Sequence, residues 1–126
     1  MSIKLNNAIY SLLTSDSGLT QIIGNKVFPL IIRHDEKLPY VVIQRYYDSE
    51  YSDDGVAYSN STLEVTVFAE TYNDSIEIAG RIDKILNFYR GTVGDNHIVM
   101  CMIKTCDEGY QDNAFLQKLT YELKNY

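Results

Sequence analysis

Few residues in this 126-residue chain are of types that hold a metal, move a proton or attack a substrate. There are two histidines. His34 stands in His34-Asp35-Glu36. One imidazole beside two adjacent carboxylates lacks the ligand spacing of a zinc site, so a solvated turn is expected there. His97 follows Asp95-Asn96 and reads as another turn. The two cysteines, Cys101 and Cys106, would face opposite sides of one strand and could not bridge within it. No Gly-x-Ser-x-Gly elbow accompanies the serines, and neither thiol has a recognisable nucleophile setting. The seven glycines are dispersed at turns and helix ends, with no phosphate-cradling loop among them. No catalytic, cofactor-binding or metal-binding residue is assigned on this basis. An enzyme is not expected, and no cofactor is implied.

The acidic stretch from Asp48 to Asp54 invites a calcium reading. Counting an EF-hand loop from Glu50 puts Gly55 at the required glycine place. It also puts Ser61 at the last place, where a bidentate glutamate is needed. Counting from Asp48 puts Asp53 at the glycine place and Ser59 at the end, so both registers fail. What remains is a combination of carboxylates and tyrosines. Asp48, Glu50, Tyr51, Asp53, Asp54 and Tyr58 are the candidate interaction residues. Tyrosine beside carboxylates, with no general base or nucleophile, suits protein contact better than catalysis. The competing reading is a hairpin stabilised by cross-strand tyrosines.

These residues need elements to position them. Leu38-Pro39-Tyr40-Val41-Val42-Ile43-Gln44 is apolar on both faces, with a proline at its entrance. That pattern belongs to a strand inside a sheet. Residues 48–62 then form either a long loop or a projecting hairpin turning at Asp54-Gly55. Such a segment is expected to be mobile alone and to become ordered against a neighbour. Leu63, Val65, Val67 and Ala69 alternate with polar residues as in a strand. Ile98-Val99-Met100-Cys101-Met102-Ile103 reads as a buried strand and Asp107-Glu108-Gly109 as a turn. Phe115, Leu119, Tyr121 and Leu123 give a last strand, its apolar face interrupted by Gln117. Helical stripes run through Leu5, Ala8, Ile9 and Leu12, and through Ile76, Ala79, Ile82, Leu86 and Tyr89. The second helix is capped by Thr71 or Asn73 and is expected to end around Arg90-Gly91. A short helical turn covers Leu19 to Ile23, before Gly24-Asn25. The expected fold class is α+β: one mainly antiparallel sheet of about four main strands, with two helices packed on one face. Residues 1–126 are expected to be a single domain.

A formal net charge of −6 and a pI near 4.7 disfavour a phosphate-gripping surface. They equally disfavour docking on anionic membranes. Neither a signal-peptide pattern nor a bilayer-length apolar run is visible. The two cysteines are therefore expected to be reduced thiols of a cytoplasmic product.

The order of these elements resembles the small tail-completion, or tail-terminator, proteins of long-tailed bacteriophages and prophages. The matching pieces begin with the N-terminal amphipathic helix and the short helical turn. They continue with Gly24-Asn25-Lys26-Val27-Phe28-Pro29, the Leu38 to Gln44 segment, and the strand Leu63 to Ala69. The helix from Asp74 to Leu86 and the last strand, with Phe115 and Tyr121, complete the likeness. Lys26 departs from the arginine common in that family. The resemblance implies a structural role. Such proteins form rings, commonly hexameric, that close the head-proximal end of the tail tube and meet the head connector. It implies as partners further copies of the chain, the tail tube protein and the head connector protein. It implies no membrane partner and no specific nucleic-acid binding, although DNA passes through the ring. The expected location is the host cytoplasm during assembly and then the virion tail. The alternatives are a related head–tail connector or minor capsid component, a small enzyme with its site between subunits, or a small ligand-binding domain outside phages.

Overall fold

The computed structural model describes residues 3–32, 36–53 and 55–126. In chain order its elements are α1 (Leu5–Thr14), α2 (Ser17–Ile23), β1 (Val27–Pro29), β2 (Tyr40–Asp53) and β3 (Val56–Ala69). These are followed by α3 (Tyr72–Leu86), β4 (Gly91–Val93), β5 (Asn96–Gln111) and β6 (Ala114–Asn125). The strands make one sheet of six, in the order β1-β2-β3-β6-β5-β4. Every pairing is antiparallel except β1 with β2, so the sheet is mixed.

The expectation of about four main strands and two helices is corrected by this architecture. The protein is mostly sheet, with half of its residues in strands, and it carries three helices. The additional strands are three residues each, too short to show a period in sequence. β1 is held beside β2 by Val41 N–H donating to Lys26 O at 2.9 Å and Leu30 N–H donating to Ile43 O at 2.9 Å. β4 pairs with the start of β5 around Gly94, whose φ of 59° suits a tight turn. The additional helix is the expected short turn, lengthened because the Asp16 carboxylate accepts from Leu19 N–H and caps it.

Three local expectations also change. The segment Tyr40 to Ile43 is second from the sheet border rather than central; β3 and β6 are the inner pair. Val41 and Ile43 are fully buried, but Val42 is half-buried on the opposite face. There Tyr40 is covered by stacking on Phe68 at 5.0 Å and by the edge of Phe28 at 6.3 Å. Asp107-Glu108-Gly109 is not a turn. β5 runs through it to Gln111 and reverses at Asp112-Asn113, where φ values of 51° and 64° supply the two left-handed residues of a tight hairpin. α3 ends at Leu86 rather than near Arg90, because Asn87 turns extended and Gly91 already opens β4.

All three helices lie on one face of the sheet. Leu5, Ile9, Leu19, Ile23, Ile78, Ile82 and Leu86 pack there against Val41, Ile43, Leu63, Val65, Val67, Leu119, Tyr121 and Leu123. The N-cap of α3 is Thr71, whose hydroxyl accepts from Asp74 N–H at 3.1 Å. No helix among the described residues is long and apolar enough to cross a membrane.

Candidate interaction surfaces

The two long hairpins end at opposite margins of the sheet. β2 and β3 continue as a ladder up to the pair Asp53 and Val56, with a register shift between Tyr47 and Ser49. β6 accompanies β3 only from Ser59 onwards, so the last rungs of this hairpin extend past the sheet as a two-stranded arm. The open choice between loop and hairpin for residues 48–62 resolves to a hairpin. Gly55, at φ 80°, sits in its turn. Asp54 lies outside the described residues, as do His34 and Asp35 of the other candidate cluster.

Of the candidate interaction residues, Asp48, Glu50, Tyr51 and Asp53 are on β2 and Tyr58 is on β3. Glu50 is exposed and pairs across the ladder with Ser59, while Tyr51 pairs with Tyr58. The Tyr58 ring meets Tyr126 edge-on at 5.3 Å, and Lys124 Nζ lies 5.0 Å from its centroid. At the base of the arm the helix-side face turns polar, with Ser59, Ser61 and Asn125 buried. Ser61 Oγ and Asn125 Oδ1 have no hydrogen-bond partner among the described residues. His97, read as a turn residue, is in β5; its Nδ1 lies 2.6 Å from Thr92 Oγ1 and its ring rests on Tyr126.

The far end of the β5–β6 hairpin is fastened to α3. Tyr72 O–H donates to Glu108 at 2.5 Å, and Gln117 Nε2 donates to Glu108 at 2.8 Å and to Ser75 Oγ at 3.3 Å. Phe115 lies between the Tyr72 ring at 6.1 Å and the Tyr110 ring at 4.8 Å. The bonds from Gln117 and Tyr72 hold the Glu108 carboxyl below the usual carboxylate range. The same bond raises the Tyr72 phenol above its ordinary value. One signal of this cluster is legible in the sequence, the glutamine interrupting an apolar face. Its partners Ser75 and Glu108, 42 and 9 residues away in sequence, were not visible in it.

Neither cysteine forms a disulfide. A register shift between Ile103 and Thr105 inserts one extra residue in β5 and reverses the alternation. Cys101, opposite Leu123, and Cys106, opposite Leu119, therefore stand on the same helix-side face, which corrects the expectation of opposite faces. Burial pushes the Cys101 thiol up to about 12, with Asp83 adding to the shift. Burial also raises Cys106, helped by Glu108, Asp107 and Asp83. Thiols shifted this way are poor nucleophiles. Below α3, Tyr121 O–H donates to Asp83 at 2.8 Å. Burial and that bond together raise its pKa. Among the described residues, no three His, Cys, Asp or Glu side chains gather as a metal site would require.

The other face of the sheet carries no helix. Glu64, Thr66, Lys118, Thr120 and Glu122 are half-buried on it. It is laced by Lys118 with Glu64 at 3.2 Å and Lys104 with Glu122 at 2.7 Å. Charges of both signs neutralise each other across this face, and alternating threonines keep it compatible with water.

The family model described as tail completion protein gp17 matches residues 7–122. Solved structures that match number 17 chains. One of them is in the virion of a native gene transfer agent particle. It has a TM-score of 0.82 at 15% identity, over 96% of this chain and 93% of that one. No curated protein matches the sequence. The match spans nearly all of the chain, and the protein belongs to the tail completion protein gp17 family, a family of structural virion proteins.

Proposed function

We propose that copies of this chain form a closed ring at the head-proximal end of the tail tube, joining it to the head connector. The family match over residues 7–122 carries this reading. The absence of a catalytic motif in the sequence accords with a role in assembly rather than in a reaction. One domain, residues 1–126, acts per subunit. The arm residues Asp48, Glu50, Tyr51, Asp53, Asp54 and Tyr58 meet an adjacent subunit or the tail tube protein. Assembly takes place in the host cytoplasm, and the ring then remains in the virion tail. The charge-balanced sheet face supports the reading that DNA passes the ring without being gripped, since lysines already paired to carboxylates release few counterions on meeting phosphate.

Light scattering and electron microscopy of the purified protein, alone and with purified tail tubes, test the proposal. Rings of one size seated on one end of the tubes are expected. Monomers under both conditions would overturn it, and rings bound to isolated head connectors but never to tubes would favour a connector component instead.

A further inference from the structure

The sheet ends in two borders that are open in opposite halves. On one side β1 covers β2 only at Val41, Val42 and Ile43, and Leu30 adds a bond to Ile43 O. From 44 to 53 no strand lies on the outer side of β2 among the described residues. On the other side β4 covers β5 only at Asn96, His97 and Ile98. Phe88 N–H donates to Cys101 O and Ile103 N–H to Asn87 Oδ1, and there the cover ends. From 104 to 111 the outer side of β5 is open as well. Open edges of this length are templates for another strand unless something covers them.

The two edges complement each other. Gln44 shares its row with Glu64, Thr120 and Thr105, so the open part of β2 rises from that row toward the arm. The open part of β5 descends from the same row toward Asp112. Three successive antiparallel pairings make β2 and β5 run in opposite senses. Two copies related by rotation about a common axis thus present these edges to each other antiparallel. Arg45 and Glu108 both stand on the helix-side face, opposite Leu63 and Gln117. Arg45 forms no ion pair among the described residues.

We infer that β2 of one copy pairs with β5 of the next, Arg45 opposite Glu108, so that the sheets of neighbouring subunits join into one continuous wall. This inference rests on the ring reading above and names the surface through which the ring would close. The interface is heterologous, two different edges meeting head to tail, which is the kind that generates rings. Arg45 lies in the row of Tyr121 and Glu108 in the row of Gln117, so the join steps the sheet by 121 − 117 = 4 residues for each subunit. Four residues at ~3.3 Å against four strands at ~4.8 Å tilt the strands by roughly 35° from the ring axis, within the range of closed barrels. In this register Gln44 faces Gly109 of the next copy, the ladder between copies is confined to 44–49 and 104–109, and it ends where Leu30 and β1 take over the edge of β2.

Gln44→Cys with Gly109→Cys, in a Cys106→Ser background, tests the contact. Gly109 accepts a side chain, because a Cβ there would meet Leu116 Cβ at an ordinary 3.9 Å. Oxidation of rings verified by electron microscopy is expected to yield a ladder of cross-linked oligomers, ending at the ring size. Each single-cysteine variant should stay uncross-linked. Rings without a ladder would overturn the inference and leave the ring reading standing. Dimers from Gln44→Cys alone would show a symmetric contact and overturn it as well. If no rings form under any condition, both readings fall together. Charge reversal provides an independent arm that does not depend on the cysteines. Arg45→Glu is expected to raise the concentration needed for rings by roughly tenfold or more. Rings of Arg45→Glu at the concentration that suffices for the unaltered protein would count against the pairing.

Discussion

The β5–β6 hairpin and the β2–β3 hairpin are built from strands of similar length and end in different ways. The first ends against α3, where Glu108, Gln117, Ser75 and Tyr72 share hydrogen bonds and the rings of Tyr72, Phe115 and Tyr110 touch in sequence. The second ends past the sheet, with no helix beneath its tip and buried polar atoms without partners at its base. The first has most of its polar groups satisfied within the chain. The second leaves groups for something else to meet. Long hairpins of the same type can therefore serve opposite ends, one tying a subunit together and one reaching outward.

The largest effect is expected where both hairpins share the core. Leu119→Ala on β6 removes a buried side chain packed between Val65 and α3, and should cost about 2–5 kcal/mol in chemical denaturation. A loss below ~1 kcal/mol would mean that the inner strands are not the common foundation described above. Next comes the fastened end. Gln117→Ala leaves Ser75 and Glu108 short of a partner and should cost about 1–3 kcal/mol. No change in the denaturation midpoint would remove the contrast between the ends. Replacing residues 51–58 by a short Asn-Gly turn should leave the melting temperature almost unaltered and stop assembly on tail tubes. Normal assembly would deprive the arm of its contact role, and loss of folding would make it part of the core.

Acidification sharpens the same contrast at smaller amplitude. The folded-state pKa of Glu108 is depressed, so the stability it contributes is present above its unfolded value, roughly 4.3. That contribution is lost as pH falls through the lower folded value. Side-chain signals of Tyr72 and Gln117 followed by NMR should therefore change below about pH 4, while those of Ser59 and Ser61, buried at the base of the arm, stay constant. Simultaneous change at both ends would show one cooperative transition instead of a local release. The smallest expected effect is at the base of the arm. Ser61→Ala deletes a buried hydroxyl that has no partner and should stabilise slightly, by up to ~1 kcal/mol. A destabilisation larger than that would show that Ser61 is satisfied in solution.

Much of the fold was legible in local pattern. Alternation at Leu63, Val65, Val67 and Ala69, the stripe through Ala79, Ile82 and Leu86, and the cap at Thr71 are properties of short windows that the structure retains, whereas Ile76, read into the same stripe, is exposed. The misreadings have a common cause. Asp107-Glu108-Gly109 has turn composition, yet Glu108 is drawn into a strand by Gln117 across the ladder and by Tyr72 on α3. The cysteines seemed to alternate until a single extra residue reversed their parity. Val27-Phe28-Pro29 reads only as a brief extended piece and β4 is too short to announce itself; both become strands because β2 and β5 offer them an edge. The candidate residues of the arm were found as a composition, carboxylates among tyrosines, while the arm's extended form depended on the ladder from Tyr47 to Asp53.

The sequence by itself determined most of the residues that leave water, the helical stripes, and that no familiar reaction motif is present, because burial pattern and motif spacing depend on neighbours a few positions apart. Only the tertiary structure decided strand order, which edges stay open, which hairpin is fastened and which reaches out. Those depend on pairings between residues as distant as Ser59 and Asn125, and hydrogen bonds of that range leave no periodic trace along the chain.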